Sequence, residues 1–266
     1  MCAARSNICD NTIDYREWFK ELLEKGQNIE IKQGVVKFTW NHMTIKFTYS
    51  SEKDITDILQ LVKRNFIMKT YAVLNVNSKT VVDIGANIGD TAIYFAVSGA
   101  KHVYAFEPYR YAFLRAEQNI NINGIHNKVT LVNAGCTEGK SVIKIKENYK
   151  SGLGDMLKDM GDGNIVKTLT LAEIVDIYGI VDAVLKIDCE GCEYGVITKA
   201  ELKTLKHFST MFIKYHCGIQ NLRKKLQDAG FTVRSIEPLP TEHDTSSNKS
   251  CSRGSLFAIR NLSSPH

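Results

Sequence analysis

The run Lys186-Ile187-Asp188-Cys189-Glu190-Gly191-Cys192-Glu193 places three carboxylates within six residues, at the end of a short apolar stretch. A carboxylate where Asp188 stands can orient a hydroxyl or take its proton, and a base is what an alcohol needs, because the neutral group is a poor nucleophile. Glu190 and Glu193 could hold a divalent ion together with Asp188 and His216, since oxygen ligands with an occasional imidazole suit Mg²⁺ or Mn²⁺. They could also cap the helix that follows, whose N-terminus favours negative charge; for Glu193 the cap is the preferred reading, and no metal site is assigned. Downstream, Phe212-Ile213-Lys214-Tyr215-His216 alternates, so Phe212, Lys214 and His216 share one face of a strand. His216 is a second candidate base near neutral pH, and Lys214 can neutralise Asp188 or Glu190. Asp188, His216 and Lys214 are therefore the catalytic candidates.

A second constellation lies upstream. Val81-Val82-Asp83-Ile84-Gly85-Ala86-Asn87-Ile88-Gly89-Asp90-Thr91 reads as a buried strand, a glycine-rich turn and the start of a helix. Such turns let the backbone approach a ligand and turn helix N–H groups toward it. A dinucleotide fingerprint needs a second glycine two residues after the first, to seat a pyrophosphate, and here that position is Asn87. An acid followed by G-x-x-x-G instead resembles the first motif of S-adenosylmethionine (SAM)-dependent methyltransferases. Glu107, 18 residues beyond Gly89, ends the next apolar strand, where a carboxylate accepts hydrogen bonds from ribose hydroxyls. The expected cofactor-binding set is Asp83, Gly85, Asn87, Gly89, Thr91, Glu107 and Pro108. Asn133 and Cys136 are added toward the adenine, and Asp188 toward the sulfonium.

The Ile187-to-Glu193 segment resembles the I-D-x-E-G-x-E element of the FkbM family of methyltransferases. Val82-to-Gly89 and Phe106-Glu107-Pro108 match that family's earlier motifs in order, and the resemblance spans roughly residues 65 to 235. It implies methyl transfer from SAM, usually to a hydroxyl of a sugar, polyketide or related natural product. Two positions depart from the pattern: Cys192 stands for a small residue, and Lys214 where a carboxylate is expected. The alternatives are an RNA methyltransferase on the same core and a non-catalytic SAM-fold binding protein. The Asn/Asp-Pro-Pro-aromatic element of base amino-methylating enzymes is replaced here by Asp188-Cys189-Glu190-Gly191.

These residues need elements to carry them. Helical spacing over 14–25, alternation over 29–49 with turn signals at Gln33-Gly34 and Asn41-His42, and a helical period over 54–65 suggest a small α+β cap across residues 1–65. It is expected to lean on a main domain of residues 66–266. From Lys79, apolar strands alternate with helices: strands at 80–85, 102–107, 129–134, 183–188, 210–216, 231–237 and 255–260, helices at 90–98, 110–122, about 171–178, 194–206 and 219–229. This βαβ series predicts an α/β, Rossmann-like class I methyltransferase sheet, mostly parallel with the last strand antiparallel. The polar segment Pro238 to Arg253 leaves the cofactor edge and is expected to serve as a lid or as a plain connector.

Composition fits this reading. With 266 residues, 44% hydrophobic and 24% charged, the chain can bury an α/β core, and its net charge of +5 is spread along its length, which does not point to a dedicated nucleic-acid surface. There is no signal-peptide pattern at Met1 to Asn7 and no apolar run near the ~18 residues of a membrane span, so a cytoplasmic protein with a small-molecule or glycan acceptor is expected. The seven cysteines include an odd one and show no repeated spacing. Reduced thiols are expected throughout, and Cys189-x-x-Cys192 lacks both the second pair of a zinc ribbon and the position of a thioredoxin-like motif.

Overall fold

The computed structural model describes residues 15–139, 142–145, 164–216, 218–236 and 253–261, and the chain divides into two compact units, one through Met68 and one from Lys69. In the first unit, α1 (Tyr15–Glu24) precedes a meander of β1 (Ile29–Lys32), β2 (Val35–Trp40) and β3 (Met43–Thr48), followed by α2 (Glu52–Val62). Both hairpin turns place their two central residues in the left-handed region, Gln33 and Gly34 at φ 51° and 75°, Asn41 and His42 at 46° and 64°, as tight antiparallel turns require. Alternation then buries Val36 and Phe38 of β2 and Ile45 and Phe47 of β3 on one face.

The helix expected to run to residue 65 instead ends at Val62 and continues as one π-helical turn, Lys63–Ile67. Asn65 and Phe66 of this wider turn are both buried. Phe66 meets the edge of Phe38 at 5.0 Å, and its carbonyl accepts the Trp40 indole N–H at 3.1 Å.

The second unit contains, in order, β4 (Thr80–Ile84), α3 (Asp90–Val97), β5 (His102–Phe106), α4 (Arg110–Ile122), β6 (Val129–Val132), β7 (Gly135–Cys136), β8 (Val142–Ile145), β9 (Asn164–Leu169), α5 (Leu171–Tyr178), β10 (Ala183–Ile187), α6 (Glu193–Lys199), α7 (Leu202–Leu205), β11 (Phe208–Tyr215), α8 (Gln220–Asp228), β12 (Phe231–Ile236) and β13 (Gly254–Arg260). Seven strands form one sheet in the order β12-β13-β11-β10-β4-β5-β6. Only β13 runs against the rest, pairing antiparallel with both β11 and β12, as the sequence predicts. Every residue of β10 is buried, as a strand covered on both faces should be.

Two local expectations change. Asn164–Leu169 forms a strand where the sequence pattern predicts none, pairing with β7 and β8 in a separate three-stranded sheet. The single helix expected over 194–206 is two helices, because Ala200 and Glu201 are extended, at ψ 142° and 148°. The break lets Ile197 and Leu205 both reach the core. The glycine-rich stretch Gly152 to Gly163 and, apart from Arg253, the polar segment Pro238 to Arg253 lie outside the described residues. No described helix is long and apolar enough to cross a membrane.

Candidate active site

In an open parallel sheet the helices cover the faces, so ligands are left the edge beyond the carboxyl ends of the strands. At that edge β4 runs into Gly85 (φ 82°), Asn87 (φ 49°) and Gly89 (φ 83°), and α3 begins at Asp90. The turn is tied down on all sides. Gly85 and Ala86 both donate to the Phe106 carbonyl at 3.0 Å, Gly89 donates to Ala86 at 2.8 Å, and the buried Asn119 amide of α4 donates to the Ile88 carbonyl at 2.9 Å.

Close packing excludes a side chain at Gly85 and crowds one at Gly89, in addition to the positive φ of both. A Cβ on Gly85 would come within 2.1 Å of the Asp188 carbonyl oxygen, and one on Gly89 within 3.3 Å of Ala116 on α4. The open side of Gly85 is therefore filled by the loop after β10. Asp188 is held directly against the turn.

Asp83 and Thr91 lie beneath this turn, in the interior. Thr91 donates its hydroxyl to Asp83 Oδ2 at 2.6 Å, and Asp83 Oδ1 is 2.8 Å from the Lys186 ammonium. Asp83 is 0% exposed and Lys186 1%. Lys186 also donates to the Gly85 carbonyl at 2.7 Å. The three side chains thus anchor the turn from within and do not line its outer surface. Lys186 stands near the end of its strand in the sequence pattern but is not among the expected site residues. The available signal was a lone lysine within an apolar strand next to β4, where the parallel register sets Lys186 beside Asp83.

Glu107 follows β5 and is 4% exposed. One carboxylate oxygen accepts the Asn87 N–H at 2.8 Å and the other the Tyr109 N–H at 2.9 Å. Burial pushes its carboxyl up to about 7, against the opposing pull of those two amides. Asn133 donates to the Glu107 and Pro108 carbonyls at 2.9 and 3.1 Å, bracing the segment that presents the acid. Pro108 is buried beside Gly135. Cys136 is enclosed in the core. Its thiol is 1% exposed, packs in the core with Phe106 and Leu171, and burial pushes its ionisation upward.

The acids after β10 converge with the end of β11. Asp188 Oδ2 pairs with Lys214 Nζ at 2.9 Å, the Asp188 side chain being 10% exposed. His216 lies between two carboxylates, Nε2 at 2.9 Å from Glu190 and Nδ1 at 3.0 Å from the fully buried Glu193. Burial of the ring opposes its charge, but the hydrogen bonds to Glu190 and Glu193 outweigh it and raise the imidazole to about 9. The ring is an imidazolium at neutral pH and holds protons on both nitrogens. Donor atoms of Asp188, Glu190 and His216 come within 4.8 Å of one another. Glu193 does begin α6, and its other oxygen accepts the Gly191 N–H at 2.8 Å, so it closes the loop leading into the helix.

Cys189 and Cys192 form a disulfide, which corrects the expectation of reduced thiols at this pair. An odd count and irregular spacing argue against a multi-bridge framework, but they say nothing against one local bridge whose Cα atoms stand 5.5 Å apart, well within reach of a disulfide.

Residues 83–233, which hold all of these groups, match the methyltransferase FkbM domain. The chain belongs to the FkbM methyltransferase family. No curated protein matches it. Among solved structures, this FkbM methyltransferase is similar to Sp1610 of Streptococcus pneumoniae (13% identity, 75% of this chain and 72% of that one, TM-score 0.46). It is also similar to M. capricolum TrmK in complex with S-adenosyl-homocysteine (16%, 73% and 67%, 0.45) and to M. jannaschii TYW2 in complex with AdoMet (17%, 87% and 89%, 0.41). The FkbM protein is by that match a methyltransferase.

Proposed function

We propose that this FkbM methyltransferase transfers the methyl group of SAM to a hydroxyl oxygen of a sugar, glycan or other natural-product-like acceptor. The observation that carries the reading is the packing of Gly85 against the Asp188 backbone, which sets a carboxylate beside the cofactor turn. The donor set there suits SAM. A buried carboxylate at the end of β5 keeps lone pairs beyond those used by the Asn87 and Tyr109 amides, and these can accept a ribose diol. In this reading Glu107 holds the ribose, and Asn87, Gly85 and Gly89 shape the surface against which SAM lies. Asn133 and Pro108 support Glu107, while Asp83, Thr91 and Lys186 hold the turn from below. When bound, SAM supplies an electrophilic methyl group on a sulfonium.

The chain's own part is to deliver an oxygen with its proton leaving. Asp188, charge-balanced by Lys214, accepts a hydrogen bond from the acceptor hydroxyl and takes its proton as the oxygen is methylated. His216 is the weaker candidate for that task, because both ring nitrogens are already engaged by carboxylates, Glu190 on one side and Glu193 on the other. It acts as a positioning residue, clamping Glu190 and Glu193 beside the acceptor.

Asp188→Asn should lower kcat by about 10²- to 10⁴-fold, the usual worth of a general base, while leaving the SAM Kd within a few-fold. His216→Asn should lower kcat less. It should also remove an alkaline limb near pH 9 from the wild-type rate profile, because the raised imidazole holds its charge below that pH and loses it above. Wild-type turnover in Asp188→Asn would rule the base assignment out. The acceptor class is tested by incubating the protein with methyl-labelled SAM and a fractionated cell extract. Label in glycans or small hydroxylated molecules supports the proposal, and label in RNA overturns it.

A further inference from the structure

The methyl-transfer scheme makes no use of the Cys189–Cys192 disulfide, although it lies inside the loop that carries all three acids. Its two half-buried residues flank Glu190 and Gly191, both left-handed in backbone, at φ 52° and 117°. Cys192 is also the residue from which α6 starts. Cys189 Sγ is 3.6 Å from Glu193 Oε2, the oxygen that accepts the Gly191 N–H, while Oε1 of the same carboxylate holds His216. A disulfide sulfur has no hydrogen to donate, whereas a thiol has one. Reduction would therefore give the buried Glu193 carboxylate a new donor in competition with Gly191. It would also remove the covalent tie that spans Glu190.

The cofactor turn does not share these restraints. Its amides are held by the Phe106 carbonyl and Glu107, and the Asp188 N–H stays in the ladder through the Ile84 carbonyl at 3.0 Å.

We propose that Cys189–Cys192 is a site of reversible thiol–disulfide exchange with a dithiol, and that its redox state sets the arrangement of Glu190, Glu193 and His216 without altering the cofactor turn. One thiolate of the dithiol attacks a cysteine sulfur, the S–S bond breaks and a mixed disulfide forms. The second thiol of the reductant resolves it. Two protons and two electrons pass to the protein, leaving two cysteine thiols and the reductant as a cyclic disulfide. The disulfide form is the one that transfers methyl groups, which rests on the assignment of the Asp188 loop to the acceptor.

The experiment uses the full chain, oxidised or treated with dithiothreitol. Alkylation and mass mapping should show Cys189 and Cys192 gaining one alkyl group each on reduction. Amide exchange followed by NMR should quicken at Gly191 by at least about tenfold, as expected when a local restraint is released, and stay unchanged at Asn87. SAM affinity by calorimetry should stay within about twofold, while label transfer to an extract acceptor falls by at least about fivefold, the signature of an effect confined to turnover. The double variant Cys189→Ser/Cys192→Ser should exchange at Gly191 like the reduced protein and ignore dithiothreitol. Equal Gly191 exchange in both states, a cysteine pair that dithiothreitol leaves unalkylated, or loss of SAM affinity on reduction would each overturn the proposal. If SAM binds in neither state, the methyltransferase scheme fails, and Gly191 still decides the redox site.

Discussion

Lys186→Met is expected to destabilise the protein by about 3–5 kcal/mol, the cost of leaving a buried charge without its partner. Asp83 is wholly enclosed, with Thr91 on one oxygen and Lys186 on the other, so water cannot replace the lost ammonium. The Gly85 carbonyl loses its donor in the same step. In a unit of this size the loss should lower the melting temperature by about 10 °C. Lys186→Met combined with Asp83→Asn removes both charges and should recover much of the stability, because no unpaired ion is then left buried. Thermal unfolding of the two variants side by side is the measurement. A double variant no more stable than the single one would show that packing, and not charge pairing, makes Lys186 necessary.

The second large effect is expected at Glu107. Glu107→Ala should weaken SAM binding by about 1.5–3 kcal/mol, the range for hydrogen bonds to a charged group, and calorimetry reads this as roughly a 10- to 150-fold rise in Kd. Glu107→Gln should be nearly as damaging. Both carboxylate oxygens accept backbone N–H groups, and an amide presents an NH₂ to one of them.

The pH dependence separates this role from a structural one. Because burial raises the carboxyl from 4.5 to about 7, the folded protein binds this proton more tightly than the unfolded chain. The stability it contributes is full below the unfolded value and is lost as pH climbs through about 7. SAM affinity should move the other way, since a ribose diol donates best to the ionised form. Between pH 6 and pH 8 the Kd should tighten by about tenfold, following ionisation near pH 7. A flat profile, or unchanged affinity in Glu107→Ala, would reject Glu107 as the ribose acceptor.

Much of this was legible in the chain itself, for local reasons. The seven strands of the main sheet and the reversal of the last one follow from apolar runs alternating with helical periods, a pattern written residue by residue. The turn signals at Gln33-Gly34 and Asn41-His42 read correctly because left-handed backbone is a property of the dipeptide and its immediate neighbours. Gly85, Gly89 and Glu107 stood out because G-x-x-x-G and a strand-ending acid have fixed spacings. The family followed from those motifs in order.

What tertiary structure alone decided concerns which side chains meet across distant segments. Asp83 has the composition of a ligand contact, yet the register of β4 beside β10 turns it inward onto Lys186, 103 residues away. The motif at Gly85 suggests room for a ligand, while the missing side chain makes room for the Asp188 backbone. Two carboxylates, Glu190 from the loop after β10 and Glu193 from the start of α6, enclose His216 from the end of β11 and turn a nominal base into a cation. Sequence sets the types and local geometry of these groups. Their ionisation and their partners depend on burial and on ångström-scale distances, which exist only once the strands have been laid side by side.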